Sequence, residues 1–233
     1  MQTIEFGGEG REATRELIAR FENGAPAWGA TAPEHVDSLR RRFATLEALD
    51  RRLGGHAPLP VEDAGTLIAE VLEELAQVEA DTRGPDPDEA MADVVLGTVL
   101  WALRHEVEIG FVEPVVNALA VRSNAARTRE ELAAVFGLAQ GVIAHVAPRL
   151  AADLERSNPE RPWRLLHVNL AITAVRTEDP AMMAFAFDAL EGALPDEACG
   201  FFSEALALSL APGIAPAVHD AIAERHRRCT ESG

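Results

Sequence analysis

Apolar residues recur with the period of an α-helix along most of the chain. In the segment 61–80 they share one helical face, while glutamates occupy the opposite face. That apolar stripe comprises Leu67, Ile68, Val71, Leu72, Leu75 and Val78. The segment 163–176 is apolar on nearly all sides, which is typical of a helix at the centre of a bundle. We find no convincing β-strand pattern.

Helix-start signals divide this pattern into separate elements. Asp86-Pro87, Asn158-Pro159 and Asp179-Pro180 each place a capping side chain before a proline suited to the first helical turn. Thr128 and Glu131 have the spacing of a capping box. Together with the periodicity, they predict nine or ten helices, near 10–22, 34–53, 61–80, 87–109, 114–125, 129–147, 160–177, 180–192, 195–210 and 214–228.

We therefore predict an all-α fold, a compact multi-helix bundle. Its neighbouring helices should be largely antiparallel, because the predicted connections after residue 110 are short. A short α-solenoid-like stack is the alternative. The loops before residue 90 are longer and richer in glycine and proline. We expect one helical domain over 1–233, with a looser N-terminal arm over 1–60.

The charge balance argues against two classes of partner. The formal net charge is −17, and residues 61–113 hold 2 arginines against 14 acidic residues. Such a surface repels nucleic acid and anionic lipid. The longest strongly apolar run, Val94–Leu103, is too short to cross a bilayer, and the first residues lack the pattern of a signal peptide. We expect a cytoplasmic protein without membrane insertion.

Two oppositely charged helix faces are candidate partner-binding surfaces. The acidic one lies on the predicted third helix and comprises Glu70, Glu73 and Glu74. The basic one lies on the predicted second helix and comprises Arg40, Arg41, Arg51 and Arg52. The acidic face could meet a basic partner or serve only solubility. We favour pairing of the basic face with the acidic helix, within the chain or across a dimer, over binding of phosphate or an acidic partner.

The predicted fourth helix places Thr98, Trp101, His105 and Glu108 along one stripe. His105 and Glu108 could form a hydrogen bond, giving a buried acid/base pair or half of a metal site. The structural interpretation, which we favour, is a polar seam at the point where this helix leaves the core.

The predicted seventh helix carries a second polar set inside an apolar segment. Asn169, Thr173 and Arg176 share one face, and His167 lies nearby. They could line a ligand pocket. We favour a hydrogen-bonded core network that fixes helix register, because buried polar groups must be paired.

No catalytic or metal-binding motif accompanies these residues. The chain has no lysine for a Schiff base or a phosphate-binding loop, and no Glu-x-x-His or His-Glu-x-x-His spacing. We therefore predict no metal and no cofactor. The two cysteines, Cys199 and Cys229, are expected to be free thiols.

One segment resembles the all-helical maturation chaperones of molybdenum-containing respiratory reductases. It comprises Leu194, Pro195, Asp196, Glu197, Phe201, Phe202 and Glu204. Those chaperones are also acidic, cytoplasmic and of similar length. The residues after Glu113 and Pro114 depart from the Glu-Pro-x-Asp-His motif of some of them. The resemblance implies a chaperone for a redox enzyme as an alternative function.

From these observations we expect a non-enzymatic accessory protein that acts through protein–protein contacts. Its partner would be another protein, for which a basic surface would match the acidic face, and a homodimer is a further expectation. The alternative to the chaperone and accessory classes is a small-ligand-binding protein or enzyme that uses His105, His167 and Asn169. A deep pocket lined by these residues would favour that alternative, whereas a solid core with an exposed apolar patch would favour the binding protein.

Overall fold

The computed structural model describes residues 11–53, 61–82, 84, 88–150 and 162–232. Within them the chain forms helices and no strand, which confirms the predicted all-α multi-helix bundle. The helices are α1 (Arg11–Gly29), α2 (Pro33–Leu53), α3 (Val61–Thr82), α4 (Glu89–Arg104), α5 (Glu113–Ala125), α6 (Arg129–Leu150), α7 (Pro162–Thr177), α8 (Pro180–Ala193), α9 (Pro195–Leu208) and α10 (Pro216–Ser232).

Two predicted helix starts have the expected caps. The Asp179 carboxylate accepts hydrogen bonds from the backbone N–H groups of Ala181 and Met182, at 2.8 and 3.1 Å. Thr128 and Glu131 form the capping box, in which each side chain accepts from the other's backbone N–H at 3.2 Å. These bonds satisfy N–H groups that have no partner inside the helix.

The start of α4 is shifted from its predicted position. Asp88, not Asp86, is the N-cap, and its carboxylate accepts from the Met91 N–H at 3.0 Å. Asp86-Pro87 and Asn158-Pro159 lie outside the described residues.

The C-terminal end of α4 was predicted five residues too late. The helix ends at Arg104 because Glu106 adopts a left-handed backbone with φ of 55°. Its N–H donates to the Leu103 carbonyl at 3.3 Å, and the Val107 N–H donates to the Ala102 carbonyl at 2.9 Å. This is the Schellman arrangement, formed here without the usual glycine.

Helix α1 continues past its predicted end near residue 22 and contains Pro26. Its apolar face extends that far, because Phe21, Ala25 and Trp28 are all buried. The Trp28 indole N–H also donates to the Asp88 carboxylate at 2.7 Å. These contacts offset the backbone hydrogen bond that a proline removes.

The described residues form two compact units. Unit 1 comprises 11–126 and 144–148 and contains α1 to α5. There α1 packs against α2 and α4, while α3 packs against α2, α4 and α5. The predicted apolar stripe of α3 is buried at Ile68, Val71, Leu72, Leu75 and Val78, and Leu67 is half-buried.

Unit 2 comprises 127–143 and 149–232 and contains most of α6 together with α7 to α10. Helix α7 packs against α8, and α8, α9 and α10 pack against one another. Phe187 and Phe202 meet edge to face, with ring centroids 5.2 Å apart. The single domain with a looser arm over 1–60 stays a prediction.

The expectation of two free thiols is wrong in this structure. Cys199 on α9 and Cys229 on α10 form a disulfide, with Cα atoms 5.6 Å apart. The pairing was not expected because the two residues are 30 positions apart and only the packing of α9 on α10 brings them together. Since disulfides persist mainly in oxidising compartments, the bond weighs against a strongly reducing cytoplasm.

Helix α6 has the length and composition of a membrane span. Among the described residues it is the one helix that is long and apolar enough to cross a membrane. Its most apolar window has a mean hydropathy of 1.3. The core helix of a soluble protein has the same properties, and 39% of this window is buried. The absence of membrane insertion stays a prediction.

Candidate functional site

The candidate ligand-binding residues fall into two separate groups. Trp101, His105 and Glu108 belong to unit 1, whereas the four candidates on α7 belong to unit 2. Each group is therefore described within its own unit.

His105 lies in the core of unit 1 beside a carboxylate that sequence reasoning missed. Its Nε2 atom is 2.8 Å from Oδ1 of Asp50, and the two side chains are 0% and 1% exposed. The two atoms lie within ion-pair distance but are not aligned as a hydrogen bond. The Thr14 hydroxyl donates to the other oxygen of Asp50, and the Trp101 ring lies 4.4 Å from the imidazole.

Asp50 could have been found from the pattern of α2. It continues the stripe of Val36, Leu39, Phe43 and Leu46, all of which are buried. An acidic residue on an apolar stripe signals a buried carboxylate that needs a partner. The pattern does not show which residue elsewhere in the chain is the partner, so it does not lead from Asp50 to His105.

The predicted polar stripe of α4 is only partly realised. Thr98 is buried and its hydroxyl donates to the Val94 carbonyl at 2.9 Å. Glu108 is exposed and lies beyond the end of α4. It therefore does not share a helical stripe with His105, and the buried carboxylate beside the imidazole is Asp50.

This buried cluster has the chemistry of a structural contact. Thr14, Asp50 and His105 come from α1, α2 and the end of α4, so the cluster links three helices. All three side chains are buried. Removing one member would strand a polar or charged group in the core.

On α7, the polar residues differ in burial. His167 and Thr173 are buried, whereas Asn169 and Arg176 are half-buried. The His167 Nδ1 lies 2.9 Å from the Trp163 carbonyl, which can only accept, so this nitrogen carries the proton. This bond lies within one helix, so the core network between helices and the ligand pocket both stay predictions.

Arg42, next to the basic face of α2, pairs with the acidic face of α3. Arg42 contacts Glu70 and also Glu74, whose second oxygen lies 3.1 Å from His35. Burial tends to raise the pKa of Glu74, but hydrogen bonds from Ser38, His35 and Arg42 outweigh it and hold that pKa below the ordinary value. Helices α2 and α3 are thus joined by ion pairs within the chain, but through Arg42 rather than through Arg40 or Arg51, so the role predicted for the basic face stays a prediction.

The other charged candidates lie at the surface. Arg40 pairs with Glu22 on α1 at 3.1 Å and with Asp37 on α2 at 2.9 Å. Arg51 pairs with Glu47 at 3.4 Å. Arg41 and Glu73 are exposed, and the Arg52 side chain lies outside the described residues.

A second ion-pair chain joins α1, α4 and α5. Asp93 lies 3.0 Å from Arg20 and 3.2 Å from Arg122, which also contacts Glu89 at 3.1 Å. Burial raises the pKa of Asp93 above its ordinary value, although both guanidinium groups oppose this. These side chains form ion pairs with one another, which indicates a structural role.

Unit 2 contains an apolar groove that sequence reasoning did not predict. This apolar groove has a volume of about 290 Å³. Its lining residues are Val168, Ile172, Val175 and Arg176 on α7, Phe201, Glu204, Ala205 and Leu208 on α9, Ser209 and Ile214 after α9, and Val218 and Ile222 on α10. Among the candidate ligand-binding residues, only Arg176 lines it.

Large apolar side chains at the apolar groove remain in contact with solvent. Leu208 is 73% exposed, Ile172 is 43% exposed and Ile214 is 41% exposed. The sequence offered a partial signal, because α9 is apolar on more than one face. That pattern alone does not tell which face the rest of the unit leaves uncovered.

The described residues include no group of three or more histidine, cysteine or acidic side chains that could hold a metal ion. No family model, curated protein or solved structure matches the chain.

Stability measurements test the contact between Asp50 and His105. Asp50→Asn and His105→Gln should each lower the free energy of unfolding by about 3 kcal/mol, because each leaves its partner buried alone. In urea denaturation the double variant should lose less than the sum by at least about 1 kcal/mol. Glu108→Gln combined with Asp50→Asn is the control and should be additive. Additivity of the first pair as well would contradict the contact.

The pH dependence of stability tests the environment of Glu74. Because the folded state depresses this pKa, Glu74 stabilises the fold at neutral pH, and that contribution is lost as pH falls below the ordinary glutamate value of about 4.3. Glu74→Gln should cost about 1 kcal/mol at pH 7, and its difference from the parent should shrink toward pH 3. The exposed neighbour variant Glu73→Gln should show neither effect. A constant Glu74→Gln difference across this range would refute the assignment.

Proposed function

We propose that this protein works by binding another protein chain in the apolar groove, as a non-enzymatic accessory protein. The observation that carries the proposal is the exposure of Leu208, Ile172 and Ile214 around a mainly aliphatic depression. Soluble proteins seldom leave a contiguous apolar patch uncovered without an interaction that uses it. A cytoplasmic location is part of the proposal, with the disulfide as the observation against it.

The helices around the apolar groove present regularly spaced side chains. Val168, Ile172 and Val175 follow one stripe of α7, and Phe201, Ala205 and Leu208 follow one stripe of α9. Such stripes, spaced by three and four residues, are how helices pack against further helices. An amphipathic helix of another chain therefore suits this surface.

The composition of the apolar groove favours a protein over a polar substrate. Its charged lining residues are Arg176 and Glu204, and its remaining members are mainly aliphatic. The imidazoles of His105 and His167 are buried elsewhere, in packed surroundings. No observation therefore favours the small-ligand or enzyme alternative built on them.

A narrower candidate is a maturation chaperone for a redox enzyme. The segment that resembles such chaperones forms the first part of α9, and its members Phe201 and Glu204 line the apolar groove. The same surface would then hold part of the immature enzyme.

Site-specific photo-crosslinking in the source cells tests the proposal. A benzophenone amino acid at position 208 of the full chain should give one dominant adduct with a protein chain, identified by mass spectrometry. Ile172→Glu in the same chain should lower its yield at least tenfold, because a buried unpaired charge costs more than about 1.4 kcal/mol.

The matched control places the same crosslinker at position 185. Phe185 is 51% exposed and lies on α8, outside the apolar groove. It should not give the dominant adduct. An adduct equally strong from position 185, or no protein adduct from position 208, would overturn the proposal.

A further inference from the structure

We propose that the disulfide between Cys199 and Cys229 is a redox-operated clasp on helix α10. When a dithiol reductant opens the bond, the second half of α10, residues 223–232, separates from α8 and α9. The reverse exchange, with the oxidised form of the same reductant, fastens that half again. The inference goes beyond the proposed function, because it depends on how α10 is attached and not on what occupies the apolar groove.

The two halves of α10 are attached to unit 2 in different ways. In the first half, residues 216–222, Val218 and Ile222 are buried, and the His219 Nδ1 atom lies 2.9 Å from the Ser209 hydroxyl oxygen. In the second half, none of the residues 223–231, whose burial the structure describes, is buried. The burial of apolar surface therefore holds the first half much more strongly than the second.

The second half of α10 contacts α8 through ion pairs at the surface. Arg225 contacts Asp188 and Glu191, and Arg228 contacts Glu191 at 3.4 Å. The Asp188 and Glu191 side chains are open to solvent, with exposed fractions of 69% and 32%. Solvent-exposed ion pairs stabilise a structure only slightly. The covalent bond is therefore the strongest attachment of this half.

The disulfide closes the open end of a helical hairpin. The end of α9 meets the start of α10 at Ser209 and His219, and the connection between the two helices lies there. Cys199 near the start of α9 meets Cys229 near the end of α10, across 30 positions of sequence. A cross-link of this kind typically makes opening of the linked segment roughly thirtyfold rarer or more.

The bond is placed where a reductant can reach it. Cys199 is exposed and Cys229 is half-buried, so attack at Cys199 is favoured. A thiolate of the reductant attacks the Cys199 Sγ atom, the bond between the two Sγ atoms breaks, and Cys229 leaves as a thiolate that takes up a proton. The second thiolate of the reductant then attacks the reductant's sulfur in the mixed disulfide, and Cys199 leaves and is protonated. The reductant becomes a disulfide, and two electrons and two protons have passed to the protein.

Opening the clasp changes the surface of α8. The Arg225 guanidinium lies 5.7 Å from the centre of the Phe187 ring, and Phe187 is 1% exposed. When the second half of α10 separates, this cover is lost and the Phe187 ring becomes accessible to solvent.

A reducible clasp also reconciles the disulfide with the proposed cytoplasmic location. Disulfides are rare in the cytoplasm, and those that occur there are usually transient, catalytic or redox-sensing. Exposed disulfides are also the more labile ones. The bond between Cys199 and Cys229 has that exposure, and it fastens half of one helix rather than the core of unit 2.

Hydrogen–deuterium exchange of the full chain, before and after reduction with dithiothreitol in the absence of denaturant, tests the inference. Thiol titration should find no free thiol before reduction and both cysteines afterwards. Reduction should raise the amide exchange rates of 223–232 by at least about tenfold and leave those of 216–222 within about twofold, because Val218 and Ile222 keep the first half in place. Hydroxyl-radical footprinting should show that Phe187 becomes reactive, while the reactivity of Phe185 on the same helix is unchanged.

The double variant Cys199→Ser and Cys229→Ser is the matched control. It should exchange like the reduced parent and should not respond to dithiothreitol, which separates loss of the bond from other effects of the reductant. Arg225→Gln tests the ion pairs separately. It should raise the exchange of 223–232 further in the reduced protein, whereas the disulfide should keep the oxidised variant within about twofold of the oxidised parent.

Equal exchange of 223–232 in the oxidised and reduced parent would overturn the inference, because the noncovalent contacts alone would then hold this half. The inference also fails if dithiothreitol opens the bond only in denaturant, if exchange rises equally over 216–222, or if Arg225→Gln releases the oxidised helix. None of these outcomes alters the crosslinking expected from position 208, so the proposed function stands or falls separately.

Discussion

The burial of apolar helix faces is the constraint on which this structure depends. The helices carry apolar faces, and burying such a face is the dominant favourable term in folding. In unit 1 the stripe of α3 is covered at Ile68, Leu72 and Leu75, all of which have no exposed surface. In unit 2 one face of α9 is covered at Phe202, but the stripe of Phe201, Ala205 and Leu208 leaves Leu208 in solvent. The functional proposal follows from that difference between two units of one chain.

Polar contacts decide which helices meet, once burial has fixed which faces point inward. Asp50 and His105 tie the end of α2 to the end of α4, and Arg42 joins α2 to α3. A misaligned helix would leave Asp50 buried without a partner, which costs far more than the pair itself gains. These contacts therefore select one packing arrangement.

The sequence predicted what depends on local interactions and missed what depends on tertiary ones. Helix existence and the caps at Thr128 and Asp179 follow from residues within one turn, and both are found. The end of α4 was missed because Glu106 takes a left-handed backbone that usually marks glycine. The partner of His105 and the disulfide were missed because their residues lie far apart along the chain. The apolar groove is a further tertiary property, since it depends on which stripe the neighbouring helices leave open.

The central claim is that the open stripe of unit 2 is covered by another protein chain. Hydroxyl-radical footprinting of the parent, alone and with the partner identified by crosslinking from position 208, measures this at individual side chains. The account predicts that Leu208 and Ile172 become protected when the partner binds, while the equally apolar Phe185 on α8 keeps its reactivity. Unchanged reactivity of Leu208 in the presence of the partner, or equal protection of Phe185, would contradict it.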